Sequence, residues 1–153
     1  MKRDSRLSAV LHALLHMAEQ KEPMTSEKLA ECMQTNSVVV RRTMAGLRKA
    51  GFVRSEKGHG GGWSIACDLE AVTLRDIYNA LGEPVLFAIG NRAETPECLV
   101  EQAVNRALSD AMLEAEALLV DRLGSVSLAD LSADFHRRML LRKRNKRSST
   151  RAL

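Results

Sequence analysis

Arginine, lysine and serine side chains are concentrated on one predicted helix, where together they could bind DNA. The helix is predicted over residues 37–50, because Val40, Met44 and Leu47 recur at the spacing of a stripe that faces the core. The polar and basic residues on or near its other side are Ser37, Arg41, Arg42, Arg48 and Lys49. Guanidinium groups bind guanine edges or phosphates through paired hydrogen bonds, and free N–H groups at a helix start can hold a phosphate. An ordinary solvated, charged helix face is the competing interpretation.

A glycine-rich segment follows this helix and separates two predicted strands, residues 52–55 and 63–66. Its glycines allow a tight tip whose backbone can approach a ligand without side-chain clashes. The residues of this segment predicted to contact DNA are Ser55, Lys57, His59, Gly60 and Gly61. A phosphate-binding P-loop fits less well, because a GK motif followed by Ser or Thr and a helix after it are both missing. A flexible surface loop is the other alternative.

The neighbouring elements place the helix and the hairpin in a known order. A shorter helix over 26–33, with Thr25 as its cap, precedes a polar break at 34–36. Helix, turn, helix and hairpin is the order of a winged helix-turn-helix, which puts one helix into the major groove and the hairpin, or wing, beside the backbone or in the minor groove. We therefore predict a mainly α fold, a winged helix-turn-helix with a two-stranded β wing and a long C-terminal dimerisation helix. Thr25 is also predicted to contact DNA.

Apolar periodicity predicts the rest of the organisation of the 153 residues. Further helices are expected over 5–19, after the cap Thr73, over 98–123 and after the cap Ser127. The predicted division is a DNA-binding domain at 1–82, a connecting loop at 83–97, a dimerisation helix and C-terminal helix at 98–144, and a disordered basic tail at 145–153. The loop contains an apolar run, so we expect it to pack against another element.

The helix predicted over 98–123 is longer than a small winged domain needs for its own core, since about 26 residues extend about 39 Å. Its apolar stripe is rich in small residues, which permits close approach of another helix. The predicted dimer interface consists of Leu99, Ala103, Leu108, Ala111, Met112, Ala115 and Leu119. A second copy of the chain is the simplest partner, and the resulting homodimer would read a palindrome in double-stranded DNA.

Basic residues dominate the C-terminal end of the chain. The net charge is +4, yet from residue 137 onward there are eight basic residues and no acidic one. Such a tail can add nonspecific affinity for nucleic acid by releasing counterions. A solubilising, frayed helix end explains the same residues equally well, so the tail is not the basis of the DNA-binding prediction.

Several runs of this sequence resemble the winged-helix transcription regulators typified by IscR, NsrR and CymR. They are Leu47-Arg-Lys-Ala-Gly-Phe-Val53, Ser55-Glu-Lys-Gly-His-Gly-Gly-Gly-Trp63 and Thr73-Leu-Arg-Asp-Ile77, together with Thr25 and Leu29-Ala30. The resemblance covers most of the chain and implies a homodimeric repressor with Lys57 in the minor groove and contacts from the start of the recognition helix. Iron–sulfur members tend to carry acidic or amide side chains where Arg41 and Arg42 stand here, so their operator sequence is not transferred.

The three cysteines, Cys32, Cys67 and Cys98, are spaced too widely for a disulfide framework or a zinc site. Iron–sulfur members of the resembled family carry three cysteines just before the long helix, where this chain has Cys98 alone. We therefore expect neither an iron–sulfur cluster nor another cofactor. Cys98 follows Pro96 at a predicted helix start, a setting that favours a reactive thiol. It is a candidate redox or electrophile sensor, with an inert thiol as the alternative, and the sequence does not identify an effector.

Other functional classes have less support. His12 and His16 lie four residues apart on one predicted helix, but no third ligand is recognisable, so no metal site is expected. No nucleophile–base pair or cofactor loop suggests an enzyme. No apolar stretch reaches membrane-spanning length and the N-terminal residues do not resemble a signal peptide, so we expect a cytoplasmic protein without membrane contact. A winged-helix module that binds protein or RNA without a specific operator is the alternative function.

Overall fold

The computed structural model describes residues 4–59, 61–87 and 90–150, the last three of these by their backbone alone. The helices and strands of this part, in chain order, are α1 (Arg6–Glu19), α2 (Ser26–Met33), α3 (Ser37–Lys49), β1 (Val53–Glu56), β2 (Gly62–Ile65), α4 (Leu74–Ala80), α5 (Leu99–Gly124) and α6 (Leu128–Thr150). This order confirms the predicted fold class, a mainly α winged helix-turn-helix with a two-stranded wing.

The hydrophobic core is shared by α1, α2, α3, the wing, α4 and the first residue of α6. Val40, Met44 and Leu47 of α3 are fully buried, as their spacing predicts. Leu14 of α1 and Leu128 of α6 lie in the same cluster. Burying a leucine contributes about 1.5–3 kcal/mol. This core therefore holds α3 in one orientation and determines which of its faces is left for a partner.

Side-chain caps fix where the helices begin. At the start of α2, the Thr25 hydroxyl accepts a hydrogen bond from the Lys28 N–H at 3.2 Å. At the start of α4, Thr73 and Asp76 form a capping box, in which each side chain accepts from the other residue's backbone N–H. Both predicted caps are therefore confirmed, and each stabilises its helix by about 1 kcal/mol.

The wing is the antiparallel hairpin of β1 and β2, paired from Val53↔Ile65 to Glu56↔Gly62. Both strands lie one residue nearer the hairpin tip than predicted. The first strand starts later because the Phe52 N–H is used in the turn that ends α3, where it donates to the Leu47 carbonyl at 3.0 Å.

Trp63 joins the wing to the segment that leads into α2. Its backbone pairs with Met24, since the Trp63 N–H donates to the Met24 carbonyl at 2.8 Å and the Met24 N–H donates back at 2.9 Å. The indole N–H donates to the Ser26 hydroxyl at 3.1 Å. Trp63 is buried, so it is a packing residue, and it sets the position of the wing beside α2.

The connecting loop lies along α5. The Asn105 amide donates to the Ala93 carbonyl at 2.7 Å, and the Gln102 amide donates to the Pro96 carbonyl at 3.0 Å. At the other end of the loop, the Tyr78 hydroxyl donates to the buried Pro84 carbonyl at 3.0 Å. The loop therefore contacts other elements through Pro84, Ala93 and Pro96. The apolar run does not account for this packing, because Val85 is 77% exposed, and residues 88 and 89 lie outside the described part.

The last helix is longer than predicted. Residues 145–150, expected to belong to a disordered tail, continue α6 to Thr150, while 151–153 lie outside the described residues. The physical reason is that the arginine, lysine and leucine residues of 137–147 favour helix and that no glycine or proline interrupts the chain from there to Thr150. Across 4–59, 61–87 and 90–150, no helix combines the length and the apolar character needed to cross a bilayer.

Candidate nucleic-acid interface

The face of α3 opposite the core carries the predicted basic residues. Arg41, Arg42, Arg48 and Lys49 are exposed, and Ser37 is half-buried at the helix start. Arg41 and Arg48 are seven residues apart, which places them two turns apart on the same face of the helix. The structure therefore brings these cations to one solvent-facing surface.

Arg48 connects this surface to the wing. Its guanidinium donates a hydrogen bond to the Ser55 hydroxyl of β1 at 3.1 Å. The same guanidinium carbon lies 5.9 Å from the centre of the Trp63 ring, within the range of a cation–π contact. Arg48 and Ser55 are both predicted to contact DNA. Their hydrogen bond also fixes the wing on the side of α3 where Arg41 lies.

Arg41 has a carboxylate neighbour. Its guanidinium lies 3.6 Å from the Glu27 carboxylate of α2, and both side chains are more than half exposed. An exposed ion pair of this kind contributes about 0–1 kcal/mol. A guanine edge or a phosphate could therefore replace Glu27 at little cost.

The hydrogen bonding of the N–H groups at the start of α3 differs from the prediction. The sequence suggested that free N–H groups beside Ser37 could hold a phosphate. The Asn36 side-chain oxygen instead accepts from the Val38 N–H at 3.1 Å and from the Val39 N–H at 3.0 Å. These two donors are satisfied within the chain because Asn36 is the helix cap. An asparagine just before a predicted helix was the signal for this cap.

Two apolar side chains at the start of α3 are candidate contacts that the sequence reasoning missed. Val38 is 59% exposed and Val39 is 40% exposed. Apolar groups in the major groove recognise the methyl group of thymine. Their signal in the sequence was a pair of valines outside the core stripe, at the start of the helix that also bears Arg41.

The wing tip presents donors on a tightly folded backbone. Lys57 and His59 are exposed, and the Gly61 N–H donates to the Gly58 carbonyl at 3.0 Å. A Cβ atom on Gly61 would lie 2.4 Å from the Glu56 carbonyl oxygen, so the tip can adopt this conformation only with glycine at position 61. Gly60, also predicted to contact DNA, lies outside the described residues.

The predicted dimer face of α5 is open in the single chain. No residue of α5 is buried. Leu99 is 79% exposed, Leu108 is 40% exposed and Leu119 is 37% exposed. The smaller members of the predicted interface, Ala103, Ala111, Met112 and Ala115, are exposed or half-buried.

The cysteines lie in three separate settings. Cys98 is exposed immediately before α5, whereas Cys32 and Cys67 are partly buried against the core. Burial raises the pKa of the Cys67 thiol, which keeps it protonated and unreactive. Of the three, Cys98 is the one most open to reagents in solution.

The two histidines of α1 approach each other closely. The Nε2 atoms of His12 and His16 are 2.9 Å apart. In the described part of the chain, no group of three or more His, Cys, Asp or Glu side chains is placed to hold a metal ion.

Comparison with known proteins agrees with this geometry. The Rrf2 family model, described as an iron-dependent transcriptional regulator, matches residues 3–134. YwnA of Bacillus subtilis, whose name calls it a candidate HTH-type transcriptional regulator, is 31% identical over 129 residues, which cover 84% of this chain and 95% of YwnA. The structure of T. potens IscR has a TM-score of 0.64 at 20% identity over 88% of each chain. CymR of B. subtilis, a global cysteine regulator, has a TM-score of 0.60 at 20% identity over 87% of this chain and 98% of CymR. The chain therefore belongs to the Rrf2 family and is a DNA-binding transcriptional regulator with the winged-helix fold of IscR and CymR.

Proposed function

We propose that this protein is a homodimeric, sequence-specific repressor that binds a palindromic operator. The observation that carries the proposal is the contact between Arg48 of α3 and Ser55 of the wing at 3.1 Å. That contact joins two basic elements into one surface, which suits a major groove and the adjacent backbone. Repression follows if the operator overlaps a promoter, because the bound protein would exclude the polymerase.

Each part of the surface has a proposed role. Arg41 and Arg42 read base edges in the major groove, with Val38 and Val39 against thymine methyl groups. Lys57 enters the minor groove beside the wing tip. The remaining groups position the protein on phosphates and are Thr25, Ser37, Arg48, Lys49, Ser55, His59, Gly60 and Gly61.

A second copy of the chain is the proposed partner of α5. Large apolar side chains on an unpaired helix are unfavourable in water, and Leu99 is 79% exposed while Leu118 is 73% exposed. A two-fold interface along α5 would bury this face and pair two α3 helices. Major grooves on one side of a duplex are about 34 Å apart, so we expect half-sites separated by about one helical turn.

Cys98 is the proposed sensor residue. Its thiol is exposed at the first turn of the helix that we assign to the dimer interface. Oxidation or alkylation there would add bulk or charge next to Leu99, and the altered dimer would hold DNA less tightly. Cys98 therefore couples thiol chemistry to operator release in this proposal.

The cysteines of this chain do not fit an iron–sulfur cluster. Such clusters are held by several thiolates, usually four. Cys98 stands alone before α5, while Cys32 and Cys67 pack against the core in other elements. We propose that the protein acts without a cluster bound by its own residues, although its family is described as iron-dependent.

The proposal is tested by selecting duplexes from a random DNA pool with the wild-type protein. We expect the selected duplexes to share a palindrome with half-sites one turn apart. A pool selected with Arg41→Ala should lose preference at the base that Arg41 reads. Arg92→Ala is the matched control, because Arg92 is also an exposed arginine paired with a glutamate, Glu101, at 3.3 Å. Failure to recover any common sequence would instead support a winged-helix module that binds protein or RNA.

A further inference from the structure

The C-terminal half of α6 extends beyond the residues that the family model matches. The family match ends at residue 134, whereas α6 continues to Thr150. We call residues 137–150 the α6 extension. Its 14 residues span about 21 Å at 1.5 Å per residue.

The α6 extension is cationic on the side where the rest of α6 faces the core. Leu128 is buried, and Phe135 and Met139 continue its stripe at helical spacing. The next positions of that stripe are occupied by Arg142, Lys143 and Lys146. Leu140 and Leu141 are followed by cations at 142, 143, 144, 146 and 147, so their apolar surface does not continue along the extension. The extension therefore has no continuous apolar face for a core or a membrane surface.

Most cations of the α6 extension have no acidic neighbour to neutralise them. Arg137 and Arg138 both pair with Asp134, the last acidic residue of the sequence. Among the side chains that the structure describes, no carboxylate pairs with Arg142, Lys143, Arg144 or Arg147. Like charges one turn apart repel each other. A polyanion along the helix would relieve this repulsion.

The α6 extension starts beside the end of α1. The His136 ring lies 2.9 Å from the carboxylate of Glu19, the last residue of α1. From Glu19 the chain reaches Met24 within five residues, and Met24 pairs with Trp63 of the wing. Five residues span at most about 18 Å. The extension thus begins beside the segment that leads from α1 to Met24, the residue paired with the wing.

From these observations we propose that the α6 extension binds the phosphate backbone of duplex DNA outside the operator half-site. This inference rests on the proposed DNA-binding function and adds a second, sequence-independent contact to it. Lysine and arginine bound to phosphates release counterions, so the contact contributes affinity and salt dependence without contributing specificity.

The test measures affinity for a selected operator duplex with natural-length flanks at several salt concentrations. The variant carries Arg142→Gln, Lys143→Gln, Arg144→Gln and Arg147→Gln, since glutamine keeps a high helix propensity. The slope of log affinity against log salt should become shallower by about 0.9 for each phosphate that the variant no longer binds, up to about 3.6. Preference for the operator over a scrambled duplex should be unchanged.

Two controls separate this contact from a change in net charge or in folding. Arg6→Gln with Arg92→Gln removes two arginines that already pair with carboxylates, Asp4 and Glu101, and should leave the slope unchanged. Replacing Arg142, Arg144 and Arg147 by lysine keeps the charge and should retain the wild-type slope.

The inference is overturned if the glutamine variant keeps the wild-type slope while it still prefers the operator. It is also overturned if the variant loses self-association in sedimentation experiments, because the extension would then bind the more acidic α5 of a second copy. If the wild type binds no duplex at all, the proposed function itself fails.

Discussion

Gly62 offers a sharp test of how the wing is attached. Its φ is +150°, and a Cβ atom there would lie 2.4 Å from the Met24 carbonyl oxygen. That oxygen accepts the Trp63 N–H in the two-bond bridge between the wing and the residue before Thr25. Gly62→Ala must therefore strain the backbone and also push Met24 away from β2.

The stability that Gly62→Ala is expected to lose has two parts. A non-glycine residue at a sparsely populated positive φ costs about 1–3 kcal/mol. Loss of the two backbone hydrogen bonds of the bridge costs about 0.5–1.5 kcal/mol each. We therefore expect Gly62→Ala to lower the free energy of unfolding by about 2–6 kcal/mol.

Gly58 provides the matched control in the same hairpin. Its φ is +91°, but an added Cβ would meet nothing within 4 Å. Gly58→Ala should therefore cost only the backbone part, about 1–3 kcal/mol. Urea unfolding followed by circular dichroism measures both variants against the wild type. Equal losses in the two variants would refute the claim that close packing of Gly62 on Met24 holds the wing.

The remaining predictions concern the dimer, the thiol and the start of α6. Leu108→Glu should give a monomer in sedimentation velocity. Leu113→Glu, which replaces an exposed leucine outside the predicted stripe, should leave the dimer intact. An unaltered dimer in both variants would contradict the α5 interface. Cys98→Ser should abolish release of DNA by peroxide or electrophiles, and unchanged release would exclude this sensor. The Ser127 backbone N–H donates a hydrogen bond to the Asp130 carboxylate, and this bond, followed by the interaction with the Ser127 side chain, lowers the pKa of Asp130. This carboxylate therefore stabilises the fold above its unfolded pKa of about 4, and the contribution is lost as the pH falls through the lower folded pKa. Thermal unfolding of Asp130→Asn should lack this acid-dependent loss of stability. A pH profile identical to that of the wild type would contradict the role of this carboxylate.

Much of the fold could be predicted from the sequence because helical periodicity and caps are local signals. The stripe of Val40, Met44 and Leu47 identified the buried face of α3 and hence its free face. Thr25 and Thr73 identified helix starts, since a hydroxyl there satisfies backbone N–H groups wherever the helix lies in the fold.

The features that sequence reasoning missed depend on contacts between distant segments or on a misread charge run. The contact between Arg48 and Ser55 requires the hairpin to fold back on α3, and no local pattern reports it. The end of α6 was mispredicted because consecutive basic residues were interpreted as a tail. Arginine and lysine are in fact good helix formers, and they lie outside the core on this helix.

The most direct test of the central claim is the affinity of Arg41→Ala, Lys57→Ala and Arg92→Ala for the selected operator duplex, measured by fluorescence anisotropy at one salt concentration. We expect Arg41→Ala to lose about 1–3 kcal/mol of binding free energy and to relax specificity at one base pair. Lys57→Ala should bind more weakly, and Arg92→Ala should bind like the wild type. Wild-type affinity in both Arg41→Ala and Lys57→Ala would show that α3 and the wing do not form the DNA-reading surface.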